Sequence, residues 1–198
     1  QCQVAPQPAS PAPAHELCKK AKVLLTCDEI QTGLCRTGRM LCSDHDGIKP
    51  DLLVLGKALS GGMYPVSAVL ASDEVMLTIK PGQHGSTYGG NPLGAAVSMV
   101  ALQILKDEGL AANSDAMGKI LRAELTRMQQ SRPEVVVGVR GRGLLNAMII
   151  KPQPSGKTAW DFCVTLRDKG VLAKPTHGDI IRFAPPLVIT EQELRHCI

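Results

Sequence analysis

Aromatic side chains are scarce in this 198-residue sequence: one Trp, two Tyr and two Phe make up 3% of it. Single-strand nucleic-acid binders stack bases on aromatic platforms, so the scarcity argues against that class. Runs of like charge are missing as well. Lys and Arg number 22 against 18 Asp and Glu, a net charge of +4 scattered along the chain, which speaks against nucleic-acid and membrane-surface partners. No apolar stretch approaches the ~18–20 residues of a membrane span. The seven cysteines (Cys2, Cys18, Cys27, Cys35, Cys42, Cys163 and Cys197) include no C-x-x-C pair. An odd, dispersed set reads as free thiols in a reducing compartment, with no structural metal and no disulfide framework. The first residues show neither a signal-peptide layout nor an Arg-rich presequence, so no targeting segment is visible.

What is present describes a packed protein. Hydrophobic residues make up 44% of the chain and charged residues 20%, ordinary for a globular core. The length suits one sizeable domain, or part of a large domain with a smaller one attached. Residues 1–14 (QCQVAPQPASPAPA) lack apolar periodicity and predict an extended, solvated tail. The short runs VLLT (residues 23–26) and LLVL (residues 52–55) read as strands of a parallel sheet buried on both faces, and residues 66–70 as a third strand. Pro92 suits the first turn of a helix running to Asp107, and residues 110–130 carry a helical apolar stripe. After Pro133, residues 134–151 predict two strands around a turn at residues 140–143. A helix near residues 158–169, strands at 171–174 and 180–183, and a helix capped by Thr190 and Glu193 complete the chain. This divides it into a tail (1–14), an α/β unit (15–132) and a small α+β unit (133–198).

Several residues suit chemistry. Asp28 and Lys57 each follow a buried strand, at the carboxyl ends where α/β folds hold ligands. Apolar surroundings would desolvate the amine and lower its pKa, suiting a Schiff-base nucleophile, although an isolated pair of this kind also serves as a structural ion pair. A Walker A loop is excluded, because Ala58 follows Lys57 and Asp51 stands at the first glycine position. Gly141, Gly143 and Asn146 lack the third glycine of a dinucleotide fingerprint. Residues 84–92 (HGSTYGGNP) offer hydroxyls, amides and a helix start, which suits an anion or a plain turn. Arg182, in an apolar stretch, needs a carboxylate, either internal or from a ligand.

Four segments, DEIQTG (28–33), LGKALSGG (55–62), HGSTYGGNP (84–92) and KPTHGDIIRFAPPL (174–187), together resemble the class III aminotransferases, the last segment their ornithine-specific branch. The resemblance runs from about His15 to the end. It implies the fold-type-I architecture: an α/β large domain with a mostly parallel sheet, here truncated, and a small C-terminal α+β domain. It implies pyridoxal 5'-phosphate bound covalently by Lys57, whose amine would shuttle the proton between the substrate α-position and the cofactor. Asp28 would pair with the ring nitrogen and Gln31 with the phenolic oxygen. Thr87, with Ser86, would reach the phosphate of a partner subunit in a homodimer, and Arg182 would clamp a substrate carboxylate. The implied reaction moves the δ-amino group of ornithine to 2-oxoglutarate, in the mitochondrial matrix, giving glutamate semialdehyde and glutamate. Family members are about twice this length. The expectation is therefore a C-terminal half, shortened in its last helix, with a catalytically inactive dimerisation partner as the alternative.

Overall fold

The computed structural model describes residues 11–198, which form two units. The first comprises residues up to Leu34 together with 39–109; the second comprises residues 35–38 and 110–198. The predicted tail overlaps the described residues only at 11–14, and there the structure corrects it: helix α1 spans Pro11–Ala21. Prolines at 11 and 13 fall in its first turn, where no helical N–H is needed, and the alanines between and after them favour helix.

In the first unit, β1 (Thr26–Asp28), β2 (Leu52–Leu55) and β3 (Ala68–Ala71) form a sheet in that order. β1 and β2 run parallel with Asp28 opposite Val54, and β3 is antiparallel to β2. The VLLT run is not a buried strand. Val23 and Leu24 are exposed and pairing starts at Thr26, because β1 has a neighbour on one side only and the described residues leave its start uncovered. A short helix α2 (Asp73–Met76) follows β3, and α3 spans Pro92–Asp107 as its proline predicts. The side chain of Asn91 caps α3 by accepting from Gly94 N–H at 2.8 Å. The core of this unit is Leu34, Leu55 and Leu59 with Val66, Leu102 and Leu105 packed against them.

The second unit begins its main segment with α4 (Leu110–Ser131). Sequence patterning divides the chain near residue 133, whereas the structure divides it at Gly109. The reason is packing: α4 buries Leu121 and Leu125 against Leu144, Ile189 and Leu194, each such leucine contributing about 1.5–3 kcal/mol. Strands β4 (Val136–Arg142), β5 (Leu145–Ile150), β6 (Lys174–Thr176) and β7 (Ile180–Phe183) form an antiparallel sheet ordered β4-β5-β7-β6. The expected turn at 140–143 falls later, at Gly143 and Leu144, where Gly143 takes the left-handed φ of 54°. β6 starts three residues later than predicted. Val171 is drawn back to cap α5 (Ala159–Asp168), donating to Leu166 O at 2.9 Å beside left-handed Gly170, a Schellman closure. α6 (Glu191–Cys197) ends the unit.

Residues 35–38 are stitched into this second unit. Arg36 donates to the carbonyls of Pro185 (2.6 Å) and Leu144 (3.4 Å), and burial pulls its guanidinium below the usual arginine range. Leu144 N–H and Ser114 Oγ each donate to Arg36 O at 3.0 Å. Among the described residues, Cys18, Cys35, Cys163 and Cys197 are free thiols. Among the described residues no helix is long and apolar enough to cross a membrane.

Candidate active site

Parallel pairing decides the geometry of the first unit's upper edge. Because Asp28 stands opposite Val54 in the β1–β2 ladder, Asp28 at the end of β1 and Lys57, two residues past β2, leave the sheet at the same edge. Two further observations place the segments after these strands side by side. Glu29 N–H donates to Val54 O at 2.9 Å, one step beyond the ladder, and a side chain at buried Gly56 would meet Ile30 at ordinary van der Waals distance, 3.4 Å. Residues 28–31 therefore run beside the residue that precedes Lys57.

Lys57 has φ of 45°, in the left-handed region, which costs a non-glycine residue roughly 1–2 kcal/mol. Its surroundings hold that conformation. Leu59 N–H donates to Gly56 O at 3.1 Å, Gly61 N–H to Ala58 O at 2.9 Å, and buried Ser60 exchanges hydrogen bonds with the Tyr64 backbone. α3 packs over this turn, with Ala101 Cβ 3.6 Å from where a Gly61 side chain would begin. Strained backbone of this kind persists where the neighbours over-determine it. The lysine side chain is exposed, so the desolvation expected for its amine is not supplied by the described residues.

Asp28 is exposed as well; its Oδ1 accepts from Ile30 N–H at 3.1 Å. Gln31 is half-buried in the same turn. Ser86 and Thr87 lie on the exposed loop before α3 in the same unit, where Ser86 Oγ accepts from Gly89 N–H at 2.9 Å. The hydrogen bond of Ser86 stays within the loop and does not bring it to Lys57. Arg182 belongs to the second unit. On β7 it pairs across the sheet with Ala147 and Lys174, and Ala147 pairs with Arg140, so these four residues form one row on one sheet face. Ile181, on the opposite face, is fully buried.

Sequence reasoning passed over Glu29. It is 3% exposed, and its carboxylate accepts from Cys42 N–H at 2.6 Å and Ser43 N–H at 2.7 Å. Strand alternation was the available signal: if Asp28 points outward, residue 29 points in.

The aminotransferase class-III family profile matches residues 3–198. The chain belongs to the class-III aminotransferases. Among curated class-III aminotransferases, the mitochondrial ornithine aminotransferase of Rattus norvegicus is 56% identical over 195 residues, covering 98% of this chain and 44% of that protein. A crystal structure of Toxoplasma gondii ornithine aminotransferase, described as showing partial occupancy of pyridoxal phosphate at its active site, superposes with a TM-score of 0.92 at 48% identity. That match covers 97% of this chain and 45% of the other. The acetylornithine aminotransferase of Elizabethkingia anophelis gives a TM-score of 0.88 at 53% identity, covering 93% and 46%. The chain thus spans less than half the length of the curated class-III aminotransferases it matches, and it has part of their pyridoxal-phosphate-dependent fold.

Proposed function

We propose that this chain carries the lysine-bearing part of a pyridoxal-phosphate-dependent transaminase site that moves the δ-amino group of ornithine to 2-oxoglutarate. Glutamate semialdehyde and glutamate would be the products. The observation that carries the reading is the parallel β1–β2 pairing, which brings an acid and a primary amine to one sheet edge. Those residues fit the cofactor: Asp28 commits only Oδ1 to a described hydrogen bond, and Lys57 is accessible. The names of the curated relatives support ornithine as the substrate.

Pyridoxal phosphate, when bound, supplies the electron sink that lets an amino-bearing carbon lose its proton. Lys57 Nζ would hold the cofactor covalently and afterwards carry that proton. The Asp28 carboxylate would accept from the ring N–H and keep the proton there. Gln31 would donate to the phenolic oxygen. Ser86 and Thr87 would donate to the phosphate of a partner subunit's cofactor in a homodimer, using an exposed loop whose amides favour anions. Arg182 would clamp a substrate carboxylate bidentately; the ion pairs among the described residues do not engage it. The rat relative's name supports a mitochondrial setting.

Exposure of Lys57 favours a second reading for the chain by itself: a catalytically inactive pairing partner. One titration separates the two. Pyridoxal phosphate added to the 198-residue chain should raise absorbance near ~420 nm, the signature of the lysine-bound cofactor, and Lys57→Ala should abolish it. Ornithine-dependent turnover with that band supports the enzyme. A flat spectrum together with binding to a full-length subunit supports the inactive partner, and a band that survives Lys57→Ala removes the role given to Lys57.

A further inference from the structure

Glu29 is a carboxylate in the interior of the first unit, 3% exposed. A buried carboxylate must have its lone pairs met, and here they are met from two segments. Oε1 accepts from Ser43 N–H at 2.7 Å, while Oε2 accepts from Cys42 N–H at 2.6 Å and from Thr32 Oγ1 at 3.2 Å. The backbone of the same residue is fixed too: its N–H donates to Val54 O and its carbonyl accepts from Gly33 N–H, both at 2.9 Å. The ion pairs among the described residues leave Glu29 out, so amides and a hydroxyl hold it in place of a cation.

The consequence falls on its neighbours. Asp28 precedes Glu29 and Gln31 follows two residues on, and the intervening Ile30 N–H donates to Asp28 Oδ1 at 3.1 Å. The turn has no slack. A side chain at buried Gly33 would begin 2.9 Å from Glu29 O and 3.1 Å from Glu29 Cβ, closer than atoms settle without the backbone moving. Any shift of Glu29 is therefore passed to Asp28 and Gln31.

We propose that Glu29 is the positioning residue that aims Asp28 and Gln31 at the cofactor ring, acting through residues 32–33 and 42–43 and not by touching the cofactor. The inference rests on the cofactor reading given above. Glu29→Gln preserves size but turns an NH2 group toward one of two backbone N–H donors, leaving that donor unmet. Thr32→Val removes one donor with little change of shape and serves if Glu29→Gln does not fold.

Two measurements test it. The first needs no cofactor: amide hydrogen exchange at Ile30 and Gly33 should quicken roughly tenfold or more in Glu29→Gln, and less in Thr32→Val, while β2 amides keep their wild-type rates. The second is the pH midpoint of the Lys57-dependent absorbance, which should move in both variants in the direction that Asp28→Asn moves it. Uniformly faster exchange across the unit with an unmoved midpoint would make Glu29 a fold-holding residue only and overturn the proposal. Unchanged exchange would overturn it too. If the wild-type chain shows no lysine-dependent band, the cofactor reading fails, and the exchange result still decides whether Glu29 governs Asp28.

Discussion

Arg182 stands in a sheet whose four strands contain no acid, with Lys174 directly across from it and Arg140 two strands away in the same row. Like charges directly opposite in a ladder are destabilising unless an anion intervenes, which suits a carboxylate ligand. If the proposed reaction holds, Arg182→Ala should lower kcat/KM for 2-oxoglutarate by a factor equivalent to about 1.5–3 kcal/mol, the worth of hydrogen bonds to a charged group. Arg182→Lys should recover part of that loss, because an ammonium restores charge without the bidentate fork. Steady-state kinetics with both variants checks this; unchanged KM and kcat in Arg182→Ala would remove the residue from the site. At this scale a polar residue that interrupts or ends an apolar run is visible in the sequence, which is how Asp28, Lys57 and Arg182 were singled out. Glu29 was reachable only through strand alternation, which turns it inward; the amides thirteen and fourteen residues later that satisfy its carboxylate leave no mark in the spacing. The exposure of Lys57 also escaped prediction, since desolvation is a property of what surrounds an amine.

Among the elements, the helix starts were the most legible. Thr190 and Glu193 form the reciprocal box at α6: Glu193 N–H donates to Thr190 Oγ1 at 3.2 Å, and Thr190 N–H to Glu193 Oε2 at 2.9 Å. Thr190→Ala should lower stability by about 1 kcal/mol, read as a drop in Tm. At α5, Thr158 N–H donates to Asp161 Oδ2 at 2.7 Å. Hydrogen bonds from the Thr158 and Thr190 backbones, then from their side chains, hold the Asp161 and Glu193 carboxyls below the ordinary carboxylate range. The folded values are depressed, so the stabilisation is fully present above the unfolded values and fades as pH falls through the lower, folded ones. The Tm difference between wild type and Thr190→Ala should accordingly shrink as pH is taken from about 7 to about 3; a constant difference would contradict the ionic box. Strand limits were less legible. β6 is displaced because Val171 closes a helix, and β1 starts late because the side of the sheet beyond it is bare among the described residues. Both are matters of neighbours and not of propensity.

Taken whole, the chain distributes its apolar surface unevenly. Among the described residues, the large apolar side chains left exposed in the second unit are Val137, Trp160, Leu172 and Val188, while Met63, Leu77, Met99, Val100 and others lie in the first. Extensive apolar exposure marks surface that a partner covers, so the isolated chain should bind a hydrophobic dye such as ANS and self-associate, and a full-length subunit should suppress both. Dye binding absent at micromolar protein would argue against that. The fold class was readable from the order of strands and helices, but the division into units was not, because α4 reads as a plain amphipathic helix with either neighbour. Close backbone contact was equally hidden: a methyl group at Gly118 would sit 2.0 Å from Gly143 O. Gly118→Ala should destabilise the second unit by about 1–3 kcal/mol or more, measured by denaturant unfolding.

The four residues at 35–38 lie far ahead of the sequence they serve. A polypeptide cut to residues 110–198 would lose the acceptor that Leu144 and Ser114 share and the guanidinium that reaches Pro185 and Leu144. The second unit is therefore not a cassette that gene rearrangement could lift out intact; whatever inherits its sheet must also inherit a short stretch encoded inside its neighbour.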